Sequence, residues 1–574
     1  MFYQTLALCI SLAAFSQTVH SLSNESYIAA CRCFIGDSCW PTESEWKSFN
    51  ATIGGRLLQT TPIAASCHES SLASYNLTSC ELLRGAWYNP QTHITSSSSI
   101  MAPLFTNNSC NPFLPPAASC TLGNYVVYSV NATELFHYQQ ALAFAKKHNI
   151  RLVVRNTGHD YNGKSTGASA LAIWVHYSKG KEFIDYDSPT YTGKAFKFGA
   201  GISVTEAYEF AKSHGKVVVG ANQPSVGLVG GYTQGGGHGP LASLLGLAAD
   251  QVLEWEVMLA SGQVVTASKS SGDYSDLHWA LCGGGGGTYG VVISATVKAH
   301  KMLDVVSIAD LTLQIPPNAT TEIENEFYDA VGTFISHVPT INDAGCIAIW
   351  YITSQTFTLA TLFAPSLSQE SLDKLLQPVL EAYDTGRLSF AYSSKQYTDF
   401  LEAFQTQSSV EVSNLNIGGR LIPRELIDND ISALTASIRN ITTRGALFSG
   451  VSFNVSQFEP ESIGVNPYWR RSAFDAVVAM PFDWTNWSTN HKAIEYITRD
   501  AIPVLERLTP NGAAYLNEAD FQQRDWQKVF YGAHYGRLAD IKSKYDPESI
   551  FYALGAVGSE SWVQKNDGRL CRAS

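Results

Sequence analysis

The sequence predicts an α+β fold in two lobes, and three observations carry that prediction. Residues 125–267 mix short strands with a few amphipathic helices but lack the regular strand–helix beat of a doubly wound sheet. Three glycine-dense turns, at 155–167, 224–239 and 279–290, lie next to strands of that region. Beyond about residue 302, long alternating segments such as 346–352 and 356–363 predict a broad antiparallel sheet with helices laid over it. The length, 574 residues, also exceeds what one small core serves.

Taken in order, residues 1–21 read as an export signal. An apolar stretch runs from Leu6 to Phe15, and Val19, His20 and Ser21 offer a cleavage site, although no Lys or Arg precedes them. Residues 22–120 are rich in Cys, Pro, Ser and Asn, and read as an irregular segment stapled by disulfides. Of the ten cysteines after Cys9, seven lie between Cys31 and Cys120. Seven is odd, so at least one is free or pairs with Cys282, Cys346 or Cys571. A zinc site at Cys31, Cys33 and Cys39 is disfavoured because C-x-C-x5-C lacks the usual C-x2-C pairing. Nine N-x-Ser/Thr sequons, at Asn24, Asn50, Asn76, Asn107, Asn131, Asn318, Asn440, Asn454 and Asn486, predict N-glycans on a secreted protein.

The periodicity then predicts strands at 125–130, 151–155, 171–176, 195–199 and 216–219, with helices at 133–148 and 204–214. A hairpin-like pair, 252–259 and 263–267, turns at Ser261-Gly262. Helices are expected at 321–337, 368–383 and 490–507, and a last helical run at 525–545 is stopped by Asp546-Pro547. The net charge of −12 excludes nucleic acid as the main partner. No segment after residue 21 is long and apolar enough to span a bilayer, so no membrane partner is expected.

The glycine turns are where chemistry enters. In Arg155-Asn-Thr-Gly-His-Asp-Tyr-Asn-Gly-Lys-Ser-Thr-Gly167, Gly158, Gly163 and Gly167 let backbone amides approach an anion closely, with His159 at the tip. By local chemistry alone, an isolated His in a glycine-rich loop such as His159 is more often a hydrogen-bonded structural residue than a functional one. The 224–239 block carries apolar Val226, Leu228 and Val229, which argue against a flexible linker. In the third turn Gly285-x-Gly-x-x-Gly290 meets the dinucleotide fingerprint only formally. A helix precedes it and a strand follows, the reverse of a nicotinamide site. Three such turns in one domain point instead to one extended cofactor lying across it. No metal site is expected.

Arg155-x-x-Gly-His-Asp-x-x-Gly-x-Ser, Gly230-Gly-Tyr-x-x-Gly-Gly-Gly-His-Gly239, Gly246-Leu-Ala-Ala-Asp250 and Trp279-Ala-Leu-x followed by five glycines resemble the vanillyl-alcohol-oxidase and berberine-bridge-enzyme flavoproteins. Tyr515-Leu-Asn-Glu518 and Lys544-Tyr-Asp-Pro547 through Phe551-Tyr552 resemble that family's closing segment. The leader Cys31-Arg-Cys33 to Cys39-Trp-Pro41 and the ending Gly568-Arg-Leu-Cys571 are similar to its secreted fungal branch, the isoamyl-alcohol-oxidase-like proteins.

The resemblance implies a two-lobed FAD-binding domain of the vanillyl-alcohol-oxidase type at 121–302. It also implies an antiparallel-sheet substrate domain with covering helices at 303–507, and a segment at 508–574 that returns to the first domain. It implies FAD bonded through its 8α-methyl to His159. Many members add a second bond through a Cys before Pro-x-Val-Gly, but here that place reads Ala221-Asn-Gln-Pro224, so His159 is expected to be the only tether. Further cofactor contacts are expected from Arg155, Gly158, Asp160, Gly163, Ser165, Val226, Gly230, Gly231, Tyr232, Gly235, Gly236, Gly237, His238 and Asn517. Catalytic residues are expected at Tyr515 and at Glu518, which replaces the second Tyr of Tyr-x-Asn-Tyr. Residues 465–470 are expected either to line the substrate side or simply to pack, and Asp250 to be structural or near the ribityl chain.

The implied reaction moves a hydride from a small-molecule alcohol, sugar or specialised metabolite to the flavin, and O2 reoxidises it with release of H2O2. An oxidative cyclase, a dehydrogenase and a non-catalytic binding module on the same scaffold are the other readings.

Overall fold

Short apolar runs flanked by turns become strands in both lobes. The computed structural model describes residues 31–384, 387–407, 412 and 414–573. The expected leader at 1–21 and the Asn24 sequon lie outside them. In the first lobe a four-stranded sheet has the order Leu57–Gln59, Tyr128–Asn131, Leu171–Trp174, Leu152–Arg155. The last three run parallel, and helix Leu135–Lys147 makes the crossover between Tyr128–Asn131 and Leu152–Arg155. Leu171–Trp174, buried along its whole length, fills the middle. Beside it lies a five-stranded antiparallel sheet ordered Lys181–Ser188, Tyr191–Gly199, Val291–Lys298, Val252–Met258, Val264–Ser268. The expected hairpin at 252–267 is its outer pair.

The second lobe is a seven-stranded antiparallel sheet: Ser389–Tyr397, Val306–Gln314, Thr356–Pro365, Ile347–Ile352, Leu447–Ser452, Ser472–Pro481, Leu415–Pro423. Helices Thr321–Asp343, Gln369–Tyr383 and Arg424–Thr442 bury one face of it around Phe334, Trp350, Phe357 and Phe474. The two-lobed α+β architecture and the covering helices are those the sequence predicts.

Several local expectations change. The run at 490–507 is two helices, Trp487–Tyr496 and Ile502–Leu508, joined by a wider turn at Ile497–Ala501. Pro503 has no N–H to continue the ladder there. The run at 525–545 splits into Trp526–Tyr531 and Tyr535–Tyr545, because Gly532 adopts φ +58. The N-terminal segment is less irregular than its composition implies. It forms helices Glu43–Thr52 and Leu77–Ala86, and its strand Leu57–Gln59 pairs with Tyr128–Asn131.

Among the described residues there are four disulfides: Cys31–Cys571, Cys33–Cys39, Cys67–Cys80 and Cys110–Cys120. The odd cysteine of the leader therefore pairs with Cys571, and Cys33–Cys39 takes the place of the disfavoured zinc reading. Cys282 and Cys346 are free and buried. The Cys282 thiol, which had no assigned role, accepts a hydrogen bond from Trp255 Nε1 at 3.3 Å. None of the eight described sequon asparagines is buried, and Asn76, Asn107, Asn318, Asn440 and Asn486 are exposed. No described helix is long and apolar enough to cross a membrane.

Candidate active site

The glycine turns meet at one cleft of about 1300 Å³, measured out to its open mouth. Its walls bring together Gly158, His159, Asp160 and Ser165 from the first turn and Val226, Gly230, Gly231 and Tyr232 from the second. Gly286, Gly287 and Gly290 come from the third turn, and Tyr515, Asn517 and Glu518 from the returning segment. These residues come from four chain segments, one of them more than 200 residues from the others.

The loop after strand Leu152–Arg155 is shaped by its own polar groups. Gly158 sits at φ +83, and a Cβ there would press on the Ser99 carbonyl and the Arg155 guanidinium. Asp160 accepts from the Asn162 amide at 2.8 Å and from the Ser165 amide at 2.8 Å, so its carboxylate braces the turn. His159 Nε2 is 2.7 Å from Ser225 Oγ, which leaves Nδ1 as the ring nitrogen without that partner. Burial, then the neighbouring His93, depresses its pKa to about 4, so the imidazole is neutral.

Lys164 escaped the sequence reading. It lines the same cleft, and its buried ammonium finds no hydrogen-bond partner. Burial lowers its pKa to about 8, with Asp160 partly opposing the shift. A dry, unpaired cation at the wall of a cleft lined by backbone amides and glycines is a site built for a polyanion.

Not every residue expected to touch the cofactor reaches the cleft. Arg155 is fully buried, and its guanidinium donates to the carbonyls of Ser96, His93 and Ser99. It pins the N-terminal segment behind the cleft instead of lining it. Gly163, Gly235, Gly236, Gly237 and His238 also stand behind the wall. A Cβ on Gly235 would lie 2.5 Å from Asn517 Nδ2, so this glycine admits the returning segment. Asn517 in turn donates to the Gly231 carbonyl at 2.9 Å and to Tyr515 Oη at 2.7 Å.

Residues 465–470 pack and brace. Trp469 lies against Tyr515 with ring centroids 5.1 Å apart. Arg470 makes a two-pronged ion pair with Asp250 at 2.9 and 2.8 Å, both groups buried. Asp250 is therefore structural. Lys542 donates to Asp546 at 2.6 Å and to the carbonyls of Thr288 and Phe551, tying the closing motif to the third glycine turn.

Glu518 faces the cleft and also touches His238, whose Nε2 is 3.2 Å from Oε1. A third group, Asp475, was not foreseen. One polar atom from each of His238, Asp475 and Glu518 lies within 4.8 Å of the other two. Burial, reinforced by the Glu518 charge, raises the Asp475 carboxyl well above the ordinary range. Burial also pushes Glu518 upward, but His238 and Asp475 outweigh it and the net shift is downward. The two carboxyls are thus shifted in opposite directions, Asp475 upward and Glu518 downward. Tyr515 is driven upward by burial and stays a phenol.

Residues 128–268 match the FAD binding domain family, and residues 514–557 match the family described as berberine and berberine like. FAD-linked oxidoreductase sor8 of Hypocrea jecorina is 43% identical over 99% of this chain and 98% of its own length. The chain belongs to the FAD-linked oxidoreductases of the vanillyl-alcohol-oxidase and berberine-bridge family. VAO-type flavoprotein oxidase VAO615 of Thermothelomyces thermophilus is 38% identical over 98% of this oxidoreductase and 99% of that relative. Bifunctional decalin synthase calF of Penicillium decumbens is 36% identical over 99% of each chain. The crystal structure of VAO-type flavoprotein MtVAO615 superposes with a TM-score of 0.89, covering 95% of this chain and 100% of that one, at 37% identity.

FAD suits the cleft of this oxidoreductase on its own geometry. Side-chain-free walls at Gly230, Gly231, Gly286 and Gly287 admit a flat bulky group, and the unpartnered Lys164 ammonium awaits a negative charge.

Proposed function

We propose that this FAD-dependent oxidoreductase is a secreted oxidase, its flavin held covalently by His159 alone. The observation that carries the reading is that one cleft presents both His159, neutral and oriented by Ser225, and the Glu518 carboxylate. A flavin accepts a hydride from a substrate carbon and yields the electrons to O2 as H2O2. The chain supplies the rest. Glu518 takes the hydroxyl proton of an alcohol, sugar or specialised-metabolite substrate. Tyr515 and Asn517 hold the floor on which that substrate rests, and Tyr232, fixed through its hydroxyl to the His238 carbonyl at 2.9 Å, closes one side.

A single tether is supported by Gln223, which stands where a second attachment would need a cysteine. A neutral imidazole is the nucleophilic form that such a bond requires. Four disulfides and unburied sequons support export and glycosylation. The resemblance to a decalin synthase favours a second reading, in which hydride removal is coupled to ring closure.

A peroxide-coupled screen of alcohols, oligosaccharides and amines tests the proposal. The expected result is peroxide formed in step with O2 consumed, and a loss of roughly 10²–10⁴-fold in flavin reduction rate for Glu518→Gln. Flavin reduction without peroxide in air would make the protein a dehydrogenase, and a cyclised product would favour the second reading.

A further inference from the structure

We infer that Asp475 is a protonated positioning residue, donating its carboxylic-acid proton to Glu518 and so keeping that group a carboxylate at the wall of the cleft. The inference rests on the reading of Glu518 as the proton acceptor.

Asp475 sits near the middle of strand Ser472–Pro481, paired with Leu421 on one side and Val451 on the other. Its strand neighbours Phe474, Ala476 and Val478 point into the helix-covered core, so Asp475 projects from the opposite face, toward the FAD lobe. It is fully buried, and neither carboxyl oxygen has an N–H or O–H donor among the described residues. An ionised carboxylate there would be unpaired and dry, a state that proteins relieve by neutralising the group. Its polar neighbours are Glu518 and His238. The hydroxyls of Tyr515, Tyr232 and Tyr351 complete the titratable groups facing the pair. Two adjacent carboxyls in such a place share one proton, and the geometry decides which keeps it. Glu518 has the His238 ring nitrogen at hydrogen-bond distance and the open cleft in front, whereas Asp475 has no donor within hydrogen-bond distance and no opening to the cleft, so Asp475 holds the proton.

The consequence is chemical. Partial burial drives a glutamate such as Glu518 toward its neutral form, in which it cannot accept a proton. A hydrogen bond donated to the charged form reverses that drift. In the resting enzyme the pair carries one proton and one negative charge. When the substrate hydroxyl gives its proton to Glu518, the pair holds two protons and no charge. The electron pair leaves with the hydride, as already described.

The test uses the flavin-loaded enzyme. Infrared difference spectra should show one buried carboxylic-acid C=O band that persists through neutral pH and disappears in Asp475→Asn. The band should remain in Glu518→Gln, whose amide oxygen accepts the same proton. The acid limb of the flavin-reduction profile, and of any flavin absorbance change that follows Glu518 ionisation, is the second readout. Asp475→Leu removes the donor and should move that limb upward by roughly one to two pH units. Asp475→Asn keeps an N–H donor and should leave the limb near its wild-type position.

A missing band in the wild type would overturn the inference. So would a band that survives in Asp475→Asn, coincident limbs for the Leu and Asn variants, or a stoichiometric divalent cation bound among these groups. Normal turnover by Glu518→Gln with the band intact would instead overturn the reading of Glu518 and leave the protonation of Asp475 standing.

Discussion

The wall that the FAD lobe gives to the cleft is opened by glycines set among its side chains, whereas the opposite side works through a few interacting side chains. Gly158, Gly230, Gly231, Gly286, Gly287 and Gly290 contribute bare backbone to the first wall, beside side chains that include His159 and Lys164. Across the cleft, Glu518 acts with Asp475 behind it and meets His238, which the second glycine block of the FAD lobe supplies. The difference teaches how each side tolerates change. A backbone wall fails when a side chain intrudes, and it holds a cofactor of fixed shape. A side-chain wall alters its chemistry with one substitution, which suits the face that meets the substrate.

The sharpest break of this comparison is His159→Ala, expected to release all of the flavin on acid denaturation, while the wild type retains all of it on the precipitated polypeptide. Retention in the variant would show a second tether, and complete release from the wild type would show that no bond forms.

Next is the bolt between the lobes. Arg470→Met leaves Asp250 buried without its partner, and thermal or denaturant unfolding should register a loss of about 3–5 kcal/mol. Asp250→Asn combined with Arg470→Met should recover part of it, because no lone charge then remains. An effect below about 1 kcal/mol, the level of exposed pairs, would mean the lobes do not depend on this contact.

The smallest expected effect sharpens the first wall. Lys164 has its pKa lowered to about 8 by burial, so it is already partly neutral in mildly alkaline solution. Binding a polyanion favours the ammonium form and raises that pKa, so binding takes up a proton and weakens as pH rises through about 8. In the His159→Ala background, where flavin binds reversibly, FAD affinity should fall above that pH and riboflavin affinity should not. Lys164→Gln should abolish the pH dependence for FAD. An unchanged profile would place the negative charge of the cofactor away from Lys164.

Much of the fold is legible because its signals are local. Alternation at 347–352 and 356–363 reports a sheet, helix periodicity reports the covering layer, and glycine-dense turns report close approach of backbone to a ligand. Helix interruptions at Ile497–Ala501 and Gly532 are harder to read. Pro503 and Gly532 are visible in the sequence, but whether a break bends or ends a helix depends on packing. Arg155 shows the same limit inside a recognisable motif. Its place beside the glycine turn implies the cofactor, yet its guanidinium faces the carbonyls of the N-terminal segment. Asp475 did leave a signal, a lone acid within the apolar run Ala473-Phe-Asp-Ala-Val-Val-Ala479, but one charge in a strand does not say which partner it meets.

By itself, the sequence determined the two-lobed α+β class, the glycine-built cleft with His159 at its edge, and the absence of a cysteine for a second flavin bond. These are properties of short stretches, set by backbone freedom, periodicity and residue identity. Only the tertiary structure decided that Cys31 pairs with Cys571 across 540 residues and that Asp250 locks to Arg470. It alone placed His238 against Glu518, 280 residues away, with Asp475 behind. Such contacts depend on how sheets stack and where the chain returns, and no local pattern of residues encodes those distances.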